Sequence, residues 1–342
     1  MVVRRMLPGL ALLCLGAFFA RAVAPVVGFN HLLLAIALGF VLANGIGVPA
    51  RLEPGVSTYG LWLGAGIVLM GASISLEAIR EAGAVVLLAI LVAVGTTALL
   101  VELLSRFVFG LADRLGSLLA AGSSICGVSA VVAVAGAIRA REEQVAYAAA
   151  TVLLFDALTI VVYPIIGELL GLPGRVFGIW AGISMFSTGP VVAVGFAHSD
   201  AAGQWATVTK LARNALIGAV VLAYAGYYAR DANRGDGGRN APSVDGARAT
   251  VRTLWNEFPK FVLGFLALAG LSSLGAFSTA QQASIESAYD WLFLIAFVGL
   301  GTEIRLGQLR RTGVTPALVV LVALLVVSSL SLAVLLVAFG SS

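Results

Sequence analysis

Charge is what this chain has least of. Of its 342 residues, 17 are acidic and 21 basic, 11% in all, where a soluble domain of this size carries about a quarter. Cysteine is nearly as scarce: Cys14 and Cys126 both fall inside apolar runs, which argues against a disulfide framework or a zinc site. The two histidines, His31 and His198, are too few and too far apart in sequence to suggest a metal cluster, and the serines within the spans have no histidine beside them as a nucleophile would have a base. No Walker loop is present, so ATP is not the energy source. These absences point away from an enzyme and from a cofactor-dependent protein. The basic pI near 9.3 does not require nucleic acid, because the positive charge sits between the apolar runs, where it reads as membrane topology.

What is present is apolar surface. Hydrophobic residues make up 60% of the chain and the mean hydropathy is +1.02. Runs long enough for the ~30 Å hydrocarbon core follow one another at 7–24, 30–48, 57–76, 82–104, 115–138, 144–170, 175–197, 205–229, 258–277, 285–302 and 314–339. The expectation is an all-α polytopic membrane protein of about 11 transmembrane helices if every run crosses. Arg4 and Arg5, the apolar stretch after them and Ala20-Arg21-Ala22 resemble a signal peptide. We read the stretch as a retained first span; its removal would leave the remaining topology unchanged. The only long polar segment, 230–256, reads as a cytoplasmic linker between a first part, 1–229 with about eight spans, and a second, 257–342 with about three.

Lysine and arginine set an orientation. With eleven crossings and the N-terminus inside, the inner segments hold 15 basic residues and the outer ones four, Arg21, Arg80, Arg139 and Arg141. The expected placement is the bacterial inner membrane, N-terminus cytoplasmic and C-terminus periplasmic. A repeat is also legible. "GASISLEAIREAG" at 71–83 and "GTEIRLGQLRRTG" at 301–313 match at five of thirteen positions, and the same offset pairs Gly45 with Gly275. Elements so related would run in opposite directions, the inverted-repeat plan of many secondary transporters.

Two runs carry small polar residues where a simple span needs none. "LLAAGSSICGVSAVVAVAG" (118–136) holds Ser123, Ser124, Cys126, Gly127 and Ser129. Such a cluster either packs tightly as a small-xxx-small pair or releases the helix, so that backbone N–H and C=O groups can bind a solute in a protein-lined cavity. "GISMFSTGPVVAVG" (182–195) holds Ser187, Thr188 and Pro190, and a proline in mid-span predicts a kink. If both segments are re-entrant rather than crossing, two spans vanish together and the parity of the termini survives.

Three intramembrane charges complete the candidate site. Asp156 sits about 18 Å along its helix from residue 144, near mid-membrane by the 1.5 Å rise, where a carboxyl group is neutral, paired, or a carrier of a proton or Na+. Lys210 and Arg213 are three apart on one helix face and would either attract an anion or snorkel to the interface; Asn214 adds a polar neighbour. Glu303 and Arg305 read as a surface pair, and Glu102 as interfacial.

At "AGSSICGVSAVVAVAGAIRAREEQVAYAAATVLLFDALTIVVYPIIG" and "TKLAR" the chain resembles the YeiH-type sulfate exporter family of bacterial inner-membrane proteins. The likeness rests on the ICG-x-SA core, Glu142 and Glu143, Tyr163-Pro164, Lys210-Leu211-x-Arg213, and the Gly-rich ends at 71 and 301, and it extends over essentially the whole chain. It implies a fold from the group of sodium/proton antiporters and bile-acid symporters, and export of sulfate or a related sulfur oxyanion. One run departs: where relatives tend to carry His-Asp-Thr-Ala-Gln, this chain reads Phe186-Ser187-Thr188-Gly189-Pro190, and Asp156 stands where relatives more often carry Gly or Asn.

The sequence reading is therefore a secondary transporter of a small anion working by alternating access. Substrate would be held at Ser123, Ser124, Cys126, Gly127, Ser129, Ser187, Thr188, Lys210 and Arg213, and a proton or Na+ would couple at Asp156. No cofactor or nucleic acid is implied; the partners are the lipid bilayer, the anion and, in one assembly the reading allows, a second copy as a homodimer. The rivals are an anion channel or uniporter, and a non-transport intramembrane receptor.

Overall fold

A computed structural model describes residues 2–74, 76–235, 260–309 and 313–339. Among these the secondary structure is helical throughout. The helices are α1 Val2–Val27, α2 His31–Val41 prolonged by a π turn to Ile46, α3 Glu53–Val56, α4 Tyr59–Met70, α5 Leu76–Leu103 and α6 Asp113–Ser124. They continue with α7 Val128–Ile138, α8 Glu142–Leu169, α9 Gly174–Ser184, α10 Thr188–His198, α11 Asp200–Asn214, α12 Ile217–Gly235, α13 Phe261–Ser273, α14 Thr279–Glu303, α15 Leu306–Leu309 and α16 Val314–Phe339. Among the described residues seven helical stretches are long and apolar enough to cross a membrane, while α2 with its π turn, α7 and α13 are shorter apolar helices. Large apolar side chains such as Leu15, Phe18, Val161 and Val337 stand exposed on the outer helices, the surface a bilayer would cover. The linker read at 230–256 lies mostly outside the described residues.

The eleven apolar runs do not all cross. In a straight helix, residues 114 and 139 would stand about 37 Å apart along the axis. Instead Arg114 Nη1 donates to the carbonyl of Arg139 at 3.1 Å, so α6 and α7 form a hairpin that leaves by the face it entered. The second broken segment does the same. The His198 ring stacks on Phe177 with centroids 4.0 Å apart, and His198 Nε2 lies 2.9 Å from the Leu172 carbonyl oxygen, which brings the end of α10 back to the start of α9. Small residues permit the close packing: a side chain at Gly178 or Gly182 of α9 would strike α11 at Ala206 or Thr209, and one at Gly195 of α10 would strike it at Ala206 and Gly203.

Among the described residues nine stretches, the seven long ones with α2 and α13, then run from one end of the bundle to the other, with one hairpin entering from each end. Arg305 lies 3.9 Å from Glu53 and Asn44 Nδ2 donates to the Ile304 carbonyl at 2.7 Å, which gathers the ends of α2 and α14 and the start of α3 on one face with the base of α6–α7. On the other, Asn30 Nδ2 donates to the Ala197 carbonyl at 3.1 Å, and Arg21 covers the Trp291 ring at 4.8 Å. Hence Arg139 and Arg141, expected on the outer side, share the face of Arg114, and Arg175 lies on the other. Counted over the described residues alone, the charge split sharpens from 10 against 4 to 11 against 3, and the odd number of crossings is kept because two were lost together.

The offset of 230 also has a structural counterpart. A side chain at Gly71 would collide with the backbone at Phe265 and Ala269 of α13, and one at Gly301 with the backbone at Ile36 and Phe40 of α2. The two glycines separated by this offset thus bring the end of α4 against α13 and α14 against α2, and α4 and α14 pack directly on each other.

Candidate functional site

The two hairpin tips, 125–127 and 185–187, meet inside the bundle. Gly127 holds φ 71° and ψ −136°, a conformation that excludes a side chain; its N–H returns to the Gly122 carbonyl at 2.9 Å. A Cβ on Gly127 would strike Ser187 Oγ of the other tip. Pro190 does not kink a span: it is the third residue of α10, in the first turn, where its missing N–H costs nothing. The expected mid-span kink is corrected to a helix start.

Each broken helix leaves carbonyls at the carboxyl end of its first half, and α11 supplies cations to both. Lys210 Nζ donates to the carbonyls of Ile125 at 2.7 Å, Met185 at 3.2 Å and Phe186, which occupies all three of its N–H groups. Arg213 donates through Nε to the Ser124 carbonyl at 2.6 Å. Its Nη1 reaches the carbonyls of Ile183 and Met185, both at 2.7 Å, and Gly182 at 3.4 Å, and its Nη2 reaches that of Ser123. Lys210 is 0% and Arg213 1% exposed. Burying a cation costs several kcal/mol; charge-assisted hydrogen bonds of about 1.5–3 kcal/mol each and the negative ends of two helix dipoles offset it.

The opposite, positive ends of the second halves border a cavity of about 560 Å³. Cys126, Val128 and Ser129 line it from the first tip, Ser187, Thr188 and Pro190 from the second, and Asp156 of α8 and Asn214 of α11 lie beside them. Its far wall is Tyr59, Phe261, Leu300 and Glu303, so the cavity extends from the tips towards the arginine-rich face. Since α10 runs from its tip to the other face, its amino end points down this cavity. Asp156 caps that end: Oδ1 accepts from the Ser187 N–H at 3.0 Å, and the residue is 4% exposed. Asn214 Nδ2 donates to Thr188 Oγ1 at 3.0 Å.

Of the residues expected from sequence, Cys126, Ser129, Asp156, Ser187 and Thr188 border the cavity, and Gly127 makes the turn behind them. Ser123 and Ser124 are placed differently. They are buried, their hydroxyls bond within α6 to the carbonyls of Leu119 at 2.7 Å and Ala121 at 3.4 Å, and only their carbonyls take part, as acceptors for Arg213. Lys210 and Arg213 do not border the cavity either, and the donors named above are turned to backbone. Glu303, expected to pair with Arg305, lies on the cavity wall, and Arg305 turns to Glu53. Glu102 pairs with Arg106 at 2.7 Å and accepts from Ser117 Oγ at 2.7 Å at the base of the first hairpin, as its interfacial position suggested. Tyr59, Phe261 and Leu300 carried no sequence signal; the glycines beside them, "YGLWLGAG" and "GLGTE", were the available hint of close packing near a site.

Residues 8–320 match the family described as Conserved hypothetical protein 698. The chain belongs to that family. It is 35% identical over 317 residues to a UPF0324 membrane protein of Nitratidesulfovibrio vulgaris, covering 90% of this chain and 86% of the relative. It is 30% identical over 311 residues to the UPF0324 membrane protein TauZ of Paracoccus pantotrophus, with 90% and 88% covered, and 32% identical over 301 residues to a UPF0324 membrane protein of Pseudomonas aeruginosa, with 85% and 81% covered. These relatives bear out the resemblance to YeiH-type proteins read from the sequence. No solved structure matches. The chain is a multi-pass membrane protein of this family.

Proposed function

We propose that the protein is a secondary transporter of a small anion, with sulfate or another sulfur oxyanion as the first candidate. The observation that carries this reading is the division of helix ends at the tips. The carboxyl ends of α6 and α9 are neutralised by Lys210 and Arg213, while the first turns of α7 and α10 border a cavity. The positive end of a helix in a shielded cavity favours an anion. Positive charge therefore acts indirectly: Lys210 and Arg213 hold the broken backbone in place, and backbone N–H and hydroxyl groups of Ser129 and Thr188 face the solute, with Ser187 turned to Asp156 until the carboxylate is neutralised. Asp156 already caps α10, so an anion at that end is disfavoured until the carboxylate is neutralised. This is a physical basis for coupling anion binding to a proton or Na+ at Asp156.

The positive-inside rule makes the arginine-rich face cytoplasmic, the cavity inward-open, and the C-terminus periplasmic in the bacterial inner membrane. The opposed hairpins and the matched contacts of Gly71 and Gly301 fit an inverted repeat, and alternating access would move the tips relative to the α2–α4–α13–α14 wall. The test is flux in proteoliposomes: purified protein should carry labelled sulfate, or another sulfur oxyanion from a panel, saturably and in response to an imposed proton or sodium gradient. Thr188→Val should raise KM without unfolding the protein. Anion flux equal to that of empty liposomes across the panel rejects transport of these anions. Unsaturable flux that ignores the gradients favours the channel reading instead.

A further inference from the structure

We propose that Asp156 and Asn214 form a sodium-ion site at the amino end of α10. Its role as a coupling site rests on the transporter reading, but the binding of the ion does not. The two side chains come from different helices, α8 and α11, and hold consecutive residues: Asp156 Oδ1 accepts from the Ser187 N–H and Asn214 Nδ2 donates to Thr188 Oγ1. Each is thereby left with one further oxygen. Asp156 Oδ2 and Asn214 Oδ1 are both buried without a hydrogen-bond partner, in residues 4% and 3% exposed, and both residues border the same cavity.

A buried acceptor without a donor is costly, and more so when it is charged. A single positive centre bound between these two residues would satisfy both acceptors. The nearby cations do not supply it, since Lys210 spends all three donors on carbonyls and Arg213 directs each of its nitrogens to a carbonyl. The donor chemistry selects the ion. Carboxylate, amide and hydroxyl oxygens are hard ligands, and one carboxylate matches a monovalent charge better than Mg²⁺ or Ca²⁺, which gather more anionic oxygens or demand an ordered water shell. Among the described residues no group of three or more His, Cys, Asp and Glu could hold another metal. The cavity gives water access to complete the coordination. Bound Na+ also neutralises the carboxylate that caps α10, so the same helix end becomes free to attract an anion, and ion and anion bind together.

The experiment uses the full chain, purified in detergent at fixed pH and ionic strength, with binding of labelled Na+ and thermal unfolding in sodium, potassium and choline gluconate. Na+ should bind saturably and raise the melting temperature by about 2–4 °C over choline, with K+ far weaker. Asp156→Asn keeps an acceptor for Ser187 and should fold, yet weaken Na+ binding by about tenfold or more. Asn214→Ala should weaken it in the same direction, and Asn214→Asp, which keeps the oxygens and adds a charge, should retain or tighten it. Indistinguishable melting in the three salts overturns the site. So does stabilisation that follows pH but ignores Na+, which would assign both oxygens to a proton, or unchanged Na+ binding in Asp156→Asn. Sulfate flux by a protein that binds no Na+ removes the ion site and leaves transport standing; sodium binding without anion flux does the reverse.

Discussion

The two hairpins are built alike at their carboxyl ends and differently at their amino ends. In both, the carbonyls that end the first half-helix are held by Lys210 and Arg213 of α11. Past the tip they diverge. The return helix α7 starts from a backbone device, Gly127 at φ 71° bonded to Gly122. The return helix α10 starts from side chains, Asp156 and Asn214. A glycine turn has one state, whereas a carboxylate can change charge. On the transport reading proposed above, the first hairpin is a fixed wall and the second is the element whose affinity for a solute is switched.

The largest expected effect removes what the hairpins share. Arg213→Ala strips a buried cation from carbonyls of both tips and should destabilise by about 3–5 kcal/mol, read as loss of monodisperse protein on size-exclusion chromatography. Survival of a well-folded variant with only a raised KM for anion would instead return Arg213 to the substrate. Next is Gly127→Ala, which forces a side chain into a glycine-only conformation at about 1–3 kcal/mol and against Ser187. Adding Ser187→Gly should recover part of the lost melting temperature by removing the clash but not the strain, and full additivity of the two changes would mean that the tips do not touch. Asp156→Asn should leave stability within about 1 kcal/mol while uncoupling flux from the driving ion, so an unaltered ion dependence would make the second hairpin as fixed as the first. The smallest effect is expected for Pro190→Ala, within about 0.5 kcal/mol, because a first-turn proline breaks no hydrogen bond. A loss of several degrees in melting temperature would restore the kink.

Much of the site was legible because membrane chemistry is sparse. Asp156, Lys210 and Arg213 stood out as charges in apolar runs, and all three come to the tips. The cluster around Ser123–Ser129 and the Thr188–Pro190 step marked where the helices break, since small polar residues and proline end helices. What could not be read was what each donor would be spent on. A lysine that binds an oxyanion and one that binds three carbonyls need the same side chain in the same place, and only the position of the C-terminal ends of α6 and α9 distinguishes them. Glu303 was misassigned because its neighbour Arg305 was the obvious partner in sequence, whereas Glu53 was the one available in space.

The sequence by itself determined that the chain is a polytopic helical membrane protein, where its apolar runs begin and end, and which two of them carry the small polar residues and proline that can interrupt a helix. Each of these follows from transfer of side chains and backbone between water and lipid, a property local to the run. Only the tertiary structure decided that the interrupted runs turn back. A broken crossing and a hairpin bury the same length of apolar chain, and converting two crossings into two hairpins preserves the parity on which charge counting depends. The direction taken after a break is set by what the freed backbone finds to bond with, and here that is a pair of cations on a helix more than seventy residues away from the first tip.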